Sequence, residues 1–256
     1  MANRTSILSI AGLDPSGCAG ITLDSAVIRA LGFHSCTIVT SITFQNTCKA
    51  IGHEVVPREV VEKQLLSILE DLNIAGVKIG VIHEAHTETL KLLNDFDVVV
   101  WDPVFKSTTG HTFSDISRIA KRVCEVAKVI TPNKYEAEVL SGVKIESIDD
   151  ARACAEKLSE MLNVSVVITG GGLEGNDVVY DMIRDHVFTV SAEFSDFEIR
   201  GTGCAYSTAL TCFLTKRKLD DACRLARLYL LSSVKSAKPV GKCHPCVTPA
   251  TDFVQF

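Results

Sequence analysis

The segment Gly201-Thr202-Gly203-Cys204 puts two conformationally free residues and a thiol at the head of a helical apolar pattern, Tyr206, Ala209, Leu210, Phe213 and Leu214. A sharp turn there aims main-chain N–H groups at one point. The helix behind adds unsatisfied donors and the positive end of its dipole, so the segment suits an anion such as a transferring phosphoryl group. A cysteine in the first helical turn can have a lowered pKa, which makes it a candidate proton acceptor or nucleophile. The plainer account of the same residues is a glycine turn before a core helix with a small buried cysteine.

Other polar residues share one kind of position. Asp14, Gln45, Asp102, Asn133 and Gly170–Gly172 each follow a strand-like run. In open α/β sheets ligands gather beyond the carboxyl ends of the strands. Each of these residues taken singly could be a turn former or a helix cap, whereas their convergence on one rim predicts a site.

Four further motifs fail on context. Gly170-Gly-Gly172-Leu-Glu-Gly175 matches the dinucleotide fingerprint, but Asp177-Val-Val-Tyr-Asp behind it reads as strand where a helix is required. Gly241-Lys242 lacks the rest of a P-loop. His83-Glu-Ala-His86 lacks the spacing and third ligand of a zinc protease and is expected on a surface helix. Cys243-His-Pro-Cys246 has the spacing of half a zinc site or a redox pair. It has no partner pair, and flanking Pro239, Gly241 and Pro249 predict a C-terminal loop.

The elements that must position these residues alternate along the chain. Strands are expected over Ser6–Ala11, Thr37–Ile42, Gly76–Ile79, Val98–Trp101, Val129–Thr131 and Val164–Thr169, with a further strand-like stretch over Glu193–Ile199 and a hairpin from Val178–Ile183 and Val187–Val190. Helices are expected over Ala19–Leu31, Val60–Leu72, around Thr87–Leu93, Ile116–Val126, Glu136–Leu140 and Asp149–Met161, then from Cys204 and from Asp220. Continuous β-branched runs such as Val98-Val-Val-Trp101 suit parallel strands buried on both faces. The expected fold is one α/β domain over residues 1–256, a doubly wound, mostly parallel sheet with helices on both faces.

Composition narrows the partners. The chain has 256 residues, 46% of them hydrophobic, and a formal net charge of −5 with Lys and Arg scattered. Nucleic acid and acidic membrane surfaces are therefore not expected as partners, and a small molecule is. No apolar signal core follows Met1 and no run reaches the roughly 18 residues of a spanning helix, so a cytoplasmic protein is expected. Most of the ten cysteines fall in apolar periodic segments and read as reduced small hydrophobes.

Five segments together resemble the hydroxymethylpyrimidine kinase / phosphomethylpyrimidine kinase family of thiamin biosynthesis, which has the ribokinase-like fold. They are Ala11-Gly-Leu-Asp-Pro-Ser-Gly-Cys-Ala-Gly20 with Asp24, Thr43-Phe-Gln-Asn-Thr47, Asp102-Pro-Val104 continuing to Gly110, Thr131-Pro-Asn-Lys-Tyr-Glu-Ala-Glu138, and Gly201–Cys204. The resemblance runs from about Ser6 to Lys235. It implies an ATP- and Mg²⁺-dependent phosphotransferase acting on 4-amino-5-hydroxymethyl-2-methylpyrimidine and its monophosphate, and a homodimer. It also implies roles: Gly201 and Gly203 as the anion hole, and Cys204 as base toward the substrate hydroxyl. Gly12, Asp24 and Gln45 would hold the aminopyrimidine, and Asn133, Thr169, Gly171 and Thr202 the ATP phosphates. Glu136, through water, and Asp102 would hold Mg²⁺.

This chain departs from the family pattern at several positions. The family commonly has Lys-Gly-Gly-His where this chain has Thr169-Gly-Gly-Gly172, and Gly at Cys18, Met at Phe105, an apolar residue at Lys106, His at Arg200 and Thr at Ala205. The missing Lys removes a phosphate-holding cation, for which Lys106 and Arg200 are candidate replacements. Thr-Gly-Gly-Gly is similar to bacterial pyridoxal kinases, so pyridoxal is the alternative substrate. A non-catalytic vitamer-binding protein on the same fold is the alternative from another class.

Overall fold

The computed structural model describes residues 5–106, 110–192 and 199–253. Nine strands among these residues form one sheet: β1 (Ser6–Leu13), β2 (His34–Gln45), β3 (Ala50–Val55), β4 (Ile74–Ile79), β5 (Val99–Trp101), β6 (Val129–Ile130), β7 (Ser165–Ile168), β8 (Asp177–Asp181) and β9 (His186–Val190), in the order β3-β2-β1-β4-β5-β6-β7-β8-β9. β2, β1, β4, β5, β6 and β7 run parallel, and β3, β8 and β9 add antiparallel edges. This is the doubly wound arrangement expected from the alternation of strand and helix.

Because side chains alternate across a strand, each central strand feeds two cores. Leu8, Ile10, Val77, Ile79, Val99 and Trp101 face α2 (Arg58–Asp71), α3 (Ile116–Cys124), α4 (Lys134–Ser141) and α5 (Ile148–Leu162). Ile7, Val100 and Val167 face α1 (Gly20–Ala30), α6 (Thr202–Leu214) and α7 (Leu219–Lys235). All these strand residues are at most 1% exposed, which explains the unbroken apolar runs.

The elements differ from expectation in two places. β3 was not anticipated: its residues are exposed or half-buried, so no apolar alternation marks it, and its pairing with the extended end of β2 supplies the order. The helix expected around Thr87–Leu93 is two 3-10 turns, Glu84–His86 and Thr89–Leu93. The strand-like stretch over Glu193–Ile199 falls mainly outside the described residues.

Candidate active site

The parallel strands end on one cavity of ≈ 200 Å³, small even against the usual ligand pockets of about 300 Å³ and more. Gly12 of β1, Gln45 of β2, Lys78 of β4, Asp102 beyond β5, Asn133 beyond β6 and Thr169 beyond β7 all reach its wall. The first turn of α6, Gly201–Cys204, closes it from the opposite layer.

Gly201 makes that closure possible. Its φ is +85°, and a Cβ there would collide with the Cys18 carbonyl and the Leu23 side chain, so only glycine fits the turn. Ala205 N–H is the first to bond within the helix, to Gly201 O at 2.9 Å. The preceding N–H groups of Thr202, Gly203 and Cys204 stand at the positive end of a 13-residue helix, a position that suits an anion.

Lys78 lies beneath the turn. It is fully buried, with Nζ 3.0 Å from Asp24 Oδ2 and 3.7 Å from Asp102 Oδ2. Burial alone would lower its pKa, but Asp24, Cys204 and Asp102 outweigh that and hold it raised. Asp24 is saturated: Ser9 Oγ donates to Oδ2 at 2.6 Å and Thr208 Oγ1 to Oδ1 at 2.9 Å. Asp24 is 0% exposed and does not line the cavity, so it anchors the lysine from behind. The structure therefore does not place Asp24 on the wall where its expected hydrogen bond to the pyrimidine would form. The sequence reading missed Lys78, although a Lys in the middle of Ile74–Ile79 is a charge in an otherwise apolar buried strand.

Cys204 lines the cavity beside this cluster. Its thiol is pushed up to about 12, first by burial, against Lys78 and the Gly20 N–H, which pull it down. The lowered pKa expected from the helix start is therefore reversed: desolvation of the half-buried thiol outweighs the Lys78 cation.

Asp102 and Glu136 face each other on the next stretch of wall. Burial raises the pKa of Asp102 despite Lys78, and Ser207 Oγ donates to its Oδ2 at 3.1 Å. Burial and then Asp102 push Glu136 up to about 8. Glu136 also forms a capping box with Asn133: Asn133 N–H donates to Oε2 at 2.9 Å, and Glu136 N–H donates to Asn133 Oδ1 at 2.9 Å. Two buried carboxylates with raised pKa values, that of Glu136 raised in part by Asp102, make a hard-oxygen pair that a divalent cation would relieve, which fits Mg²⁺ held by one or two carboxylates together with phosphates. Thr169 joins this wall through a parallel bridge to Asn133, whereas Gly171 is exposed and is not among the residues that line the cavity. Lys106 also lines the cavity, its Nζ 5.1 and 5.4 Å from the ring centres of Phe105 and Tyr135.

At the β1–β2 end, Gln45 meets Arg200. Arg200 is 2% exposed; Nη2 donates to Gln45 Oε1 at 3.0 Å, Nη1 donates to the Asn46 carbonyl, and Asp14 Oδ2 lies 3.6 Å away. The C-terminal segment straps this corner. Arg200 N–H donates to Pro245 O at 2.9 Å, Val247 N–H donates to Arg200 O at 3.0 Å, and disulfides join Cys18 to Cys246 and Cys48 to Cys243. Four of the ten cysteines are thus cross-linked, and Cys243-His-Pro-Cys246 is a clamp onto the β1–α1 and β2–β3 loops. The cysteines in apolar periodic segments, Cys36, Cys124, Cys154, Cys212 and Cys223, are unpaired as expected, whereas Cys243-His-Pro-Cys246, expected as a plain C-terminal loop, is cross-linked.

His83 and His86 are not on a surface helix. Both are buried in a 3-10 turn, His86 Nε2 is 2.7 Å from Val56 O, and His83 stacks on His53 at 5.1 Å. Among the described residues no three His, Cys, Asp or Glu side chains are grouped to hold a metal ion.

With this geometry in place, the comparisons are specific. The sequence model of the family described as phosphomethylpyrimidine kinase matches residues 14–248. The hydroxymethylpyrimidine/phosphomethylpyrimidine kinase of Aquifex aeolicus is 35% identical over 247 residues, covering 92% of this chain and 96% of that protein. The ADP complex of Bacillus subtilis pyridoxal kinase superposes with a TM-score of 0.83 at 26% identity, covering 96% of this chain and 98% of that one. The phosphomethylpyrimidine kinase of Clostridium difficile superposes with a TM-score of 0.78 at 28% identity, covering 90% and 100% respectively.

Proposed function

This chain belongs to the phosphomethylpyrimidine kinase family, and from that premise we propose that it transfers the γ-phosphoryl group of ATP to the hydroxymethyl oxygen of 4-amino-5-hydroxymethyl-2-methylpyrimidine, and then to the resulting monophosphate, in thiamin biosynthesis. The observation that carries the reading is the Gly201–Cys204 turn facing Lys78 and Asp102 across one small cavity. Binding alone does not call for an anion hole, a thiol and a carboxylate pair on the same wall, which weighs against a non-catalytic vitamer-binding protein.

Phosphoryl transfer needs mainly positioning and charge stabilisation. The substrate oxygen bonds to the γ-phosphorus as the bond to the β,γ-bridging oxygen breaks and ADP leaves. The N–H groups of Gly203 and Cys204 stabilise the equatorial oxygens, with Asn133, Thr169 and Thr202 along the phosphate side. Cys204 sulfur takes the hydroxyl proton, and Lys78 stabilises the thiolate this requires. Mg²⁺, held by Asp102 and through water by Glu136, would neutralise phosphate charge when bound. ATP as donor is supported by the ADP complex of the B. subtilis relative.

A second reading, pyridoxal kinase, is supported by Thr169–Gly172 and by the B. subtilis pyridoxal kinase fold. A coupled ADP-release assay with the aminopyrimidine, its monophosphate and pyridoxal separates the readings. A higher kcat/KM for the aminopyrimidine is expected, and a higher value for pyridoxal would overturn the assignment. We further take residues 1–256 as one domain, supported by the single sheet, and as a cytoplasmic homodimer. The exposed apolar residues Ile42, Phe44, Ile51 and Val55 on the β2–β3 edge support a second copy as partner. Among the described residues no helix is long and apolar enough to cross a membrane.

A further inference from the structure

The orientation of Gln45 is decided by its neighbour. An Asn or Gln side chain can present either its carbonyl oxygen or its NH₂ group to a ligand, and which end points inward follows from what holds the other end. Here the holder is Arg200, whose Nη2 lies 3.0 Å from Gln45 Oε1. A guanidinium carries donors only. Turning the amide over would put two donors against each other, so the oxygen must face Arg200 and Nε2 is left toward the cavity. Arg200 cannot swing away: its other terminal nitrogen donates to Asn46 O, its main chain is bonded on both sides to the strap, and Asp14 Oδ2 stands 3.6 Å from Nη2. A histidine at this position could donate or accept according to its tautomer and would leave the amide free to turn.

We propose that Arg200 is a specificity-determining positioning residue: it locks Gln45 so that the cavity offers an N–H donor, and so selects a vitamer ring that brings an acceptor to that point. The proposal rests on the kinase reading for its substrate class. It changes what Gln45 reads. The exocyclic amine of the aminopyrimidine is a donor and cannot be the group that meets Nε2, so the ring nitrogen beside it is. Arg200 itself touches Gln45 rather than the reacting atoms, and its effect belongs in substrate affinity and discrimination more than in turnover.

The test compares the aminopyrimidine with the analogue in which the ring nitrogen beside the amine is replaced by C–H. A site built to hydrogen-bond a group rejects a substrate lacking it, so the wild-type protein should lose ~10²-fold or more in kcat/KM for the analogue. Arg200→Met should shrink that ratio to about tenfold or less, with KM for the aminopyrimidine raised more than kcat is lowered. Gln45→Leu should do the same, and the double variant should be no worse than either, because one residue acts through the other. Arg200→Lys, still a pure donor, should keep most of the discrimination and guards against a general loosening of the strap. Calorimetric binding of both ring compounds without ATP gives the same comparison without turnover. Additive losses in the double variant, or full discrimination in Arg200→Met, overturn the proposal while leaving the kinase reading standing. Failure of the wild-type protein to bind the aminopyrimidine overturns both.

Discussion

Breaking the two disulfides should loosen the fold and weaken the vitamer pocket more than the nucleotide side. Cys18–Cys246 spans 228 residues and Cys48–Cys243 spans 195. A single cross-link over such a length restricts the unfolded chain by about 5 kcal/mol at 25 °C. The second adds less, because once Cys246 is tied to Cys18 it closes only the 30 residues from 18 to 48 and the 3 from 243 to 246. For a loop of that length the restriction is about 4 kcal/mol. Even if native-state adjustment cancels half of the sum, a chain of this size should lose about 10 °C in Tm. The functional effect follows the strap: Arg200 is bonded on both sides to residues 245 and 247, and Gln45 is held by Arg200.

The assay has three parts. Thiol titration in denaturant should give six groups before reduction, matching the six unpaired cysteines, and ten after it. Thermal unfolding should be followed with and without a dithiol, and in Cys243→Ser/Cys246→Ser. Steady-state kinetics should show KM for the vitamer raised more than KM for ATP, because Asn133 and Thr169 lie at the ends of β6 and β7, away from the strap. Ten titratable thiols in the protein purified without reductant would refute the cross-links. A Tm unmoved as the count goes from six to ten would refute the reasoning that the strap holds the corner together.

Cys204→Ala should lower kcat by roughly 10²–10⁴ with ATP affinity little changed, and near-normal turnover would reduce Cys204 to a packing residue. Because its folded pKa is raised to about 12, the proton-accepting thiolate grows as pH rises, so log kcat/KM should climb from neutral into the alkaline range in the wild-type protein. A profile flat between pH 7 and 9 would count against sulfur as base. Lys78→Met should destabilise by about 3–5 kcal/mol, because it leaves Asp24 buried without its cation. Adding Asp24→Asn should restore folding in denaturant titration but not turnover, and recovered activity would remove Lys78 from the chemistry. Glu136→Gln should raise the Mg²⁺ concentration needed for half-maximal rate and leave vitamer binding without ATP unchanged; equal loss of vitamer binding would place Glu136 in the wrong part of the cavity.

What was legible in the sequence was local. Gly201–Cys204 could be read because a glycine turn and a helix pattern adjoin, and Asp102, Asn133 and Thr169 because each ends a recognisable strand. Asn133 and Glu136 were legible twice over, since the spacing that suits phosphate and metal is also that of a capping box. What escaped was non-local. Asp24 is satisfied by Ser9, Lys78 and Thr208, which lie 15, 54 and 184 residues away, and nothing near Asp24 signals that it is already fully bonded. The cysteine pairs are further apart still, and a C-x-x-C spacing does not show that its two sulfurs go to two different loops. The thiol pKa failed for another reason: a helix start lowers it only where water remains, and burial here carries the opposite and larger sign.

The same burial explains how positive charge is arranged around the transferred group. Lys78 is committed to Asp24 at 3.0 Å and Asp102 at 3.7 Å, so it offsets charge already present in the floor rather than meeting an incoming phosphate. Arg200 is committed to Gln45 and Asn46. Thr169 offers a hydroxyl and no charge. Of the three cationic side chains on the cavity wall, this leaves Lys106, whose ammonium rests against aromatic rings rather than a carboxylate. In the proposed reaction, most of the stabilisation of the moving phosphoryl group would then come from the fixed N–H groups of the Gly201–Cys204 turn, with Asp102 and Glu136 as the residues that would hold a divalent ion to neutralise phosphate charge. Such preorganised dipoles are effective only if they cannot relax, which is what the steric requirement for glycine at 201 secures.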